Sequence, residues 1–431
     1  MRRLSQLLRT PVFIPLAIVI AFFVRASASL GRPISRFPDS LGYETFQLFG
    51  SIDRFWPIPF IYSLVTTDTG RVLLHVVVGS CAWSWCAVVL SRRSNYPRVV
   101  LTAVLLLGLS PQVIRYDLAI LSESLGISFM VLTVTATVEL LRRRTPLSLG
   151  IWLVAISLCA NTRPVQLFVL VVALTIPIVK FIGNRGRQIT ISTVVLLFVL
   201  LAGFLQLRGN STTSALNFYT VLQERVMTND ARFGWFSDHG MPVVEGMRNA
   251  SGYDYSGNLP SEVSDIITLP VGQQPPTLMR VGGANLASWV VDKGWTTYAR
   301  YVVTHPRDSL SRITSLTNET LSPPNDDFLP LDNGAMIPRV LFGSWELWSV
   351  LGLGSLVLVF LKNRQEFAVL IGLSIAGCGV YGISMMTSGI EHPRHAVTSS
   401  AALRLIALCA IVLALPKAKQ KVTLDESDDE Q

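Results

Sequence analysis

Residues 118–144, LAILSESLGISFMVLTVTATVELLRRR, decide how this chain folds. The apolar run ends on Arg142, Arg143 and Arg144, and it carries Glu123 near its start. A membrane-crossing helix needs roughly 20 mostly apolar residues, because the hydrocarbon core is about 30 Å thick and each residue rises about 1.5 Å. Lysine and arginine gather at the cytoplasmic ends of such helices. The stretch therefore reads as a span with its arginines inside and Glu123 about one turn below the outer face.

Outward from it, apolar runs and basic clusters alternate as one zigzag of about ten spans. Span 1 (about 12–30) leads to an outer loop, 31–70, and span 2 (about 71–91) returns to Arg92 and Arg93. Span 3 (about 97–113) goes out and span 4 (about 118–140) comes back. Span 5 (about 146–160) exits to the tight turn Asn161-Thr162-Arg163-Pro164, and span 6 (about 164–182) returns to Lys180, Arg185 and Arg187. Span 7 (about 188–206) opens into a long polar segment. Span 8 (about 339–361) returns to Lys362 and Arg364. Span 9 (about 366–387) leads out to Glu391-His392-Pro393-Arg394-His395, and span 10 (about 396–415) ends at Lys417, Lys419 and Lys421. Both termini are expected on the cytoplasmic side of a cell membrane. The first run follows Arg2, Arg3 and Arg9 and holds Ala26-Ser27-Ala28, as a cleaved signal would; its length and the later orientations favour a retained anchor.

The expected fold is thus an all-α membrane protein with a mainly helical extracytoplasmic domain between spans 7 and 8. Its parts are 1–207 with the outer loop 31–70, the domain 208–337, spans 8–10 over 338–416, and a disordered acidic tail, 417–431. Composition agrees: of 431 residues 50% are hydrophobic and 15% charged, where a soluble chain carries about 25% charged. The net charge of +8 sits in short groups between apolar runs, not on a basic face interleaved with aromatics, which argues against nucleic acid. The five cysteines all lie in apolar runs, so no disulfide staples the polar segment, and none has metal-ligand company.

The segment 208–337 holds 13 acidic and 9 basic residues. Helical stretches are expected at Ala215–Val226 and Ala284–Thr304, the latter turning Leu286, Trp289, Val290, Tyr298 and Tyr301 inward. Pro306 opens a further helix, since proline suits a first turn. The domain is expected to pack on the membrane portion. In the first loop, Leu41, Phe46, Leu48, Phe49, Phe55, Trp56 and Phe60 suit short interfacial helices.

Charge at a membrane edge costs free energy and so marks candidates. Asp39, in Arg36-Phe37-Pro38-Asp39-Ser40-Leu41-Gly42-Tyr43, suits either a general base or a helix N-cap. Glu123 suits a substrate-holding or catalytic acid, or a partner for Arg115 or another arginine, and Asp117 lies beside it. Arg163, in its tight turn, presents a planar fork suited to phosphate, or snorkels to headgroups. His392, Arg394 and His395 form a cationic group suited to a lipid phosphate. Arg32 and Arg36 break the inside-positive pattern, as phosphate ligands or partners of outer acids.

These residues together resemble the GT-C superfamily of integral membrane glycosyltransferases. The resemblance rests on Pro38-Asp39-Ser40 with Tyr43, Leu121-Ser122-Glu123-Ser124-Leu125, Thr162-Arg163-Pro164 and Arg394-His395. It covers the membrane portion; Asn217 through Arg225, Trp235-Phe236 and Gly240-Met241-Pro242 look like bacterial, including actinobacterial, members of unassigned acceptor. It implies a polyprenyl-phosphate sugar donor and a glycan or lipid acceptor in cell-wall biosynthesis on the outer face. It implies Asp39 as base with Glu123 as a second catalytic acid. Arg163, Arg394, His395, His392 and Arg36 would hold the donor phosphate, and Tyr43, Asp117 and Arg115 would contact substrate. Protein mannosyltransferases of the superfamily carry an Asp-Glu pair where this chain has Asp39-Ser40, so its acceptor differs from a protein serine or threonine. No cofactor is implied; a divalent metal would fit the chemistry, although no ligand cluster calls for one. The competing reading is a transporter or flippase for a lipid-linked or anionic substrate, which calls for inverted repeats and broken helices near mid-membrane.

Overall fold

The computed structural model describes residues 12–47, 54–178, 211–250, 257–269, 274–322 and 341–415, with positions 197, 200, 203 and 329. The expected span 7 lies almost wholly outside the described residues, as do Leu48, Phe49 and the acidic tail. The described secondary structure is helical, with one isolated bridge between Ser35 and Ala119.

Among the described residues, five helices are long and apolar enough to cross a membrane: Asp68–Ser91, Glu123–Arg143, Trp345–Lys362, Arg364–Thr387 and His392–Ala414. Phe13–Ser29 and Pro146–Ala160 are apolar but shorter. In chain order we label Phe13–Ser29 α1, Asp68–Ser91 α2, Pro97–Gly108 α3, Glu123–Arg143 α4 and Pro146–Ala160 α5. In the C-terminal half, Pro306–Leu321 is α6, Trp345–Lys362 α7, Arg364–Thr387 α8 and His392–Ala414 α9.

The expected span 3 is broken. After α3 the chain bends by 47° into Pro111–Leu118, and a sixth crossing exists only if the two pieces count as one. Ser110 takes an extended ψ of 143°, because the ring of Pro111 disfavours the α region for the residue before it. The sixth expected span is a 3₁₀ stretch, Pro164–Ile178.

Local signals account for the helix ends. Thr67 caps α2 by accepting from the Gly70 amide, with Asp68 in the first turn where the helix dipole favours an acid. Thr145 and Ser148 form a reciprocal capping box at α5, with Pro146 in its first turn. Asn363 accepts from the amides of Gln365 and Glu366 and so turns α7 into α8.

Helix α4 is the centre, 94% of its apolar window being buried, whereas α7 is a rim helix at 17%. It packs between α2, α5 and α9. Its buried threonines bond back to carbonyls one turn earlier, Thr133 to Phe129 at 2.8 Å and Thr137 to Thr133 at 2.6 Å. They also reach across the seam to α5: Thr133 donates to the Ala155 carbonyl at 3.1 Å, and Trp152 Nε1 donates to Thr137 Oγ1 at 2.9 Å. Such small polar contacts join helices where no hydrophobic driving force separates protein from lipid.

The segment after residue 211 builds a core of its own around Phe218, Leu222, Phe236, Leu286, Trp289 and Tyr298. The Phe218 ring packs on Trp295 at 5.0 Å and Trp289 at 6.0 Å, and Gly294 makes room: a Cβ there would stand 2.5 Å from the ring. The expected second stretch forms, interrupted by one π-helical turn at Val290–Gly294, and Pro306 opens α6. This domain is also fastened to α8. Tyr298 donates to the Met386 carbonyl at 2.6 Å, and Met386 joins the domain's core.

The domain's backbone also comes close at Gly389, where a Cβ would lie 2.4 Å from the Thr220 carbonyl oxygen and 2.5 Å from its carbon. Both are backbone atoms and cannot yield as a side chain would. Gly389→Ala is therefore expected to destabilise the protein by about 1–3 kcal/mol, seen as a lower midpoint in thermal unfolding.

Candidate functional site

Four segments far apart in sequence meet at one end of α4 and α9. The first is the loop after α1. Ser35 donates its amide to the Leu118 carbonyl at 2.9 Å and accepts from the Ile120 amide at 3.1 Å, pinning the loop to the turn before α4. The second is the head of α4, with Ser122 and Glu123. The third is the turn at Arg163, and the fourth is the head of α9. At Gly126 the last three touch: Thr162, Gln166 and Thr398 lie 3.4–3.6 Å from where a Cβ would stand.

Their charges form one hub on Arg394, which is buried. Its Nε donates to Glu123 Oε1, its Nη1 to Glu391 Oε2 at 2.6 Å, and its Nη2 to Asp39 Oδ2 at 2.8 Å. Arg163 shares Glu123, donating from Nη2 to the same oxygen and from Nε to Ser122 Oγ at 3.0 Å, with Nη1 3.4 Å from His395 Nδ1. Arg54 donates to Asp39 Oδ1 at 2.7 Å and lies over the Tyr43 ring, and Tyr43 donates to Ser122 Oγ at 3.0 Å. Among the described residues the hub pairs Asp39, Glu123 and Glu391 with Arg54, Arg163 and Arg394. Burying such ions costs several kcal/mol each, a cost their mutual pairing offsets. Glu123 Oε2 is buried and accepts no hydrogen bond among the described residues.

Asp39 is no side-chain cap. It precedes the short helix Ser40–Glu44 without a capping bond and turns to the arginines instead, while Ser40 Oγ accepts from the Phe37 amide at 2.9 Å. Burial would raise its pKa, but Arg54 and Arg394 outweigh this and hold the carboxyl well below the usual range. Glu391 behaves oppositely: burial pushes its carboxyl up despite Arg394.

The structure brings together Asp39, Tyr43, Glu123, Arg163, Arg394 and His395. It does not bring in the others. His392 turns away to Arg312 of α6, with Nε2 3.0 Å from Arg312 Nη2. Arg36 joins a separate network, donating to Asp68 Oδ2 at 2.7 Å and pairing with Glu44, which also holds Arg71. Asp117 lies behind the site with both carboxylate oxygens on Arg25. Arg115 is buried over the ring of its neighbour Tyr116.

Arg54 and Glu391 were missed as site residues, and Arg25 as Asp117's partner. Arg25 had a signal, an arginine inside an apolar run; Glu391 stood within the Glu391–His395 motif; Arg54 had none beyond an outer-loop cation. Among the described residues, no group of three His, Cys, Asp or Glu side chains is placed to hold a metal ion.

No protein-family model matches the chain, and no curated protein does. Among solved structures it is similar to the Archaeoglobus fulgidus oligosaccharyltransferase tethered to an acceptor peptide, at 12% identity, covering 93% of this chain and 49% of that one, TM-score 0.41. It is likewise similar to the archaeal oligosaccharyltransferase AglB of the same organism in complex with an inhibitory peptide and a dolichol-phosphate, at 11% identity, 92% and 50% coverage, TM-score 0.42. The chain spans about half the length of these structures. The chemistry of the site has to come from its own side chains.

Proposed function

We propose that the protein is a membrane glycosyltransferase moving a sugar from a polyprenyl-phosphate carrier to an acceptor hydroxyl, with Asp39 as general base. The observation that carries the reading is an ionised carboxylate, Asp39, paired with Arg394, which shares Glu123 with Arg163 in one hub at the heads of apolar helices. The acceptor oxygen attacks the anomeric carbon while Asp39 takes its proton. The bond from that carbon to the phosphate oxygen breaks, its electron pair leaves with polyprenyl phosphate, and configuration inverts. Arg163 and Arg394 face the charge that grows on the leaving oxygen. Asp39, 27% exposed, then returns its proton to solvent. Glu123 holds both arginines in register, and its unpartnered oxygen suits a sugar hydroxyl. The site faces the outer side in this reading, with both termini cytoplasmic.

A transporter would draw support from the break at Leu109–Ser110, since interrupted helices frame many transport sites. The acid beyond that break, Asp117, is already bound by Arg25. The deciding experiment incubates purified protein with a panel of radiolabelled polyprenyl-phosphate sugars. Carrier-dependent transfer or slow hydrolysis supports the enzyme; no turnover and no binding across the panel ends this reading.

One pH effect follows from the geometry. A depressed pKa keeps Asp39 in its base form down to unusually acid pH, so in the parent it sets no acid limb near neutrality. Arg54→Met removes a cation that lowers it, so the acid limb of the kcat/KM profile should move to higher pH. An unmoved profile would mean that Asp39 is not the titrating base.

A further inference from the structure

Resting on that reading, we propose that Glu391 occupies the edge of Arg394 that the donor phosphate must take, and so makes the site selective for a singly charged carrier phosphate. In this structure each of the three guanidinium nitrogens of Arg394 donates to a different carboxylate. A phosphate that takes a bidentate contact on two of these nitrogens competes with the carboxylates already on them.

The three are not equally held. Glu123 has a fully buried side chain and is shared with Arg163. Asp39 is shared with Arg54 and is needed beside the acceptor. Glu391 makes one ion pair, to Arg394 three residues on, and its side chain is 27% exposed. Its backbone is left-handed, φ 53°, at the N-cap of α9, yet its side chain forms no cap. A non-glycine residue in that region costs about 1–2 kcal/mol, and such strain collects at functional sites. The raised carboxyl pKa agrees, because Arg394 does not fully offset the cost of burying this acid.

Charge then sets the selectivity. Among the described residues, three acids meet three arginines in the hub when Glu391 is in place and ionised. A phosphodiester carrying one negative charge replaces the Glu391 carboxylate like for like. A diphosphate brings surplus negative charge beside Asp39 and Glu123.

The test measures binding of undecaprenyl methyl phosphate, a phosphodiester with one charge, and of undecaprenyl diphosphate to the full-length protein in nanodiscs, for the parent, Glu391→Gln and Glu391→Asp. Glu391→Gln should bind the phosphate on the order of tenfold more tightly, the equivalent of one charge-assisted contact no longer in competition. It should gain more for the diphosphate, and Glu391→Asp should stay near the parent. Glu391→Ala serves equally should the glutamine variant not fold. If the parent binds the phosphate and the charge-removing variants bind it equally or more weakly, Glu391 positions Arg394 instead, and this inference falls while the transferase reading stands. If no form binds either lipid, both fall.

Discussion

Asp39→Asn is expected to lower kcat by about 10²- to 10⁴-fold, the usual worth of a positioned general base, while leaving the protein folded. The fold should survive because Arg394 keeps Glu123 and Glu391, and Arg54 keeps its place over Tyr43. The amide still accepts one hydrogen bond, although its NH₂ end must face a guanidinium. Donor binding should not weaken, because the substitution removes a negative charge next to an incoming phosphate. The signature is thus a collapse in kcat with KM for the donor unchanged or lower, in an assay of labelled sugar transfer beside a thermal unfolding curve. A variant that keeps kcat within about threefold of the parent would remove Asp39 from the chemistry. A rise in KM alone would make it a binding group.

The helices that carry the site were legible where an apolar run coincides with a chemical stop. Arginines close α4, Lys362 and Arg364 mark the break between α7 and α8, and Pro306 opens α6. Ten spans were expected from apolar length; among the described residues five helices are long and apolar enough to cross a membrane, and two of the other expected spans are not one straight α-helix. Pro111 breaks the third run, and the sixth is wound as 3₁₀ turns. The segment 208–337 was expected to pack on the membrane portion; its described part is fastened to α8 through Tyr298 and Met386, and its aromatic residues also form a core of their own.

Within the site, residue type was legible but partnership was not. Glu123 and Arg394 stand 271 positions apart, and only the packing of α4 against α9 puts them in contact. Arg36 drew notice by breaking the charge pattern, a property equally satisfied by its surface partners Asp68 and Glu44. Asp117 was assigned to substrate because it lies near Glu123 in sequence; the 3₁₀ turn at Arg115–Leu118 instead points it at α1.

That buried pair supports the other large effect. Asp117→Ala is expected to destabilise the protein by about 3–5 kcal/mol, because it strands the Arg25 cation in a closed interior. Arg25 and Asp117 are 2% and 0% exposed, joined by bonds of 2.7 and 2.8 Å, and Ser124 adds a third at 2.6 Å. The guanidinium is closely enclosed, since Gly79 yields the space of a side chain to it, a Cβ there standing 2.3 Å from Arg25 Nη2. The Asp117 carbonyl also sits 2.9 Å from His75 Nδ1, while Tyr62 donates to the Leu121 carbonyl at 2.7 Å. Both contacts fix the four residues that lead into Ser122 and Glu123, so lost stability should bring lost activity. The double variant Arg25→Met with Asp117→Leu separates charge from shape. If the pair only braces the turn, apolar side chains of similar size should restore most of the stability, as buried ion pairs elsewhere allow. Reversible unfolding in mixed micelles reads both. A single variant costing under about 1 kcal/mol would mean that the pair is not the brace of this turn, and a double variant as unstable as the single one would mean that the turn needs the charges themselves.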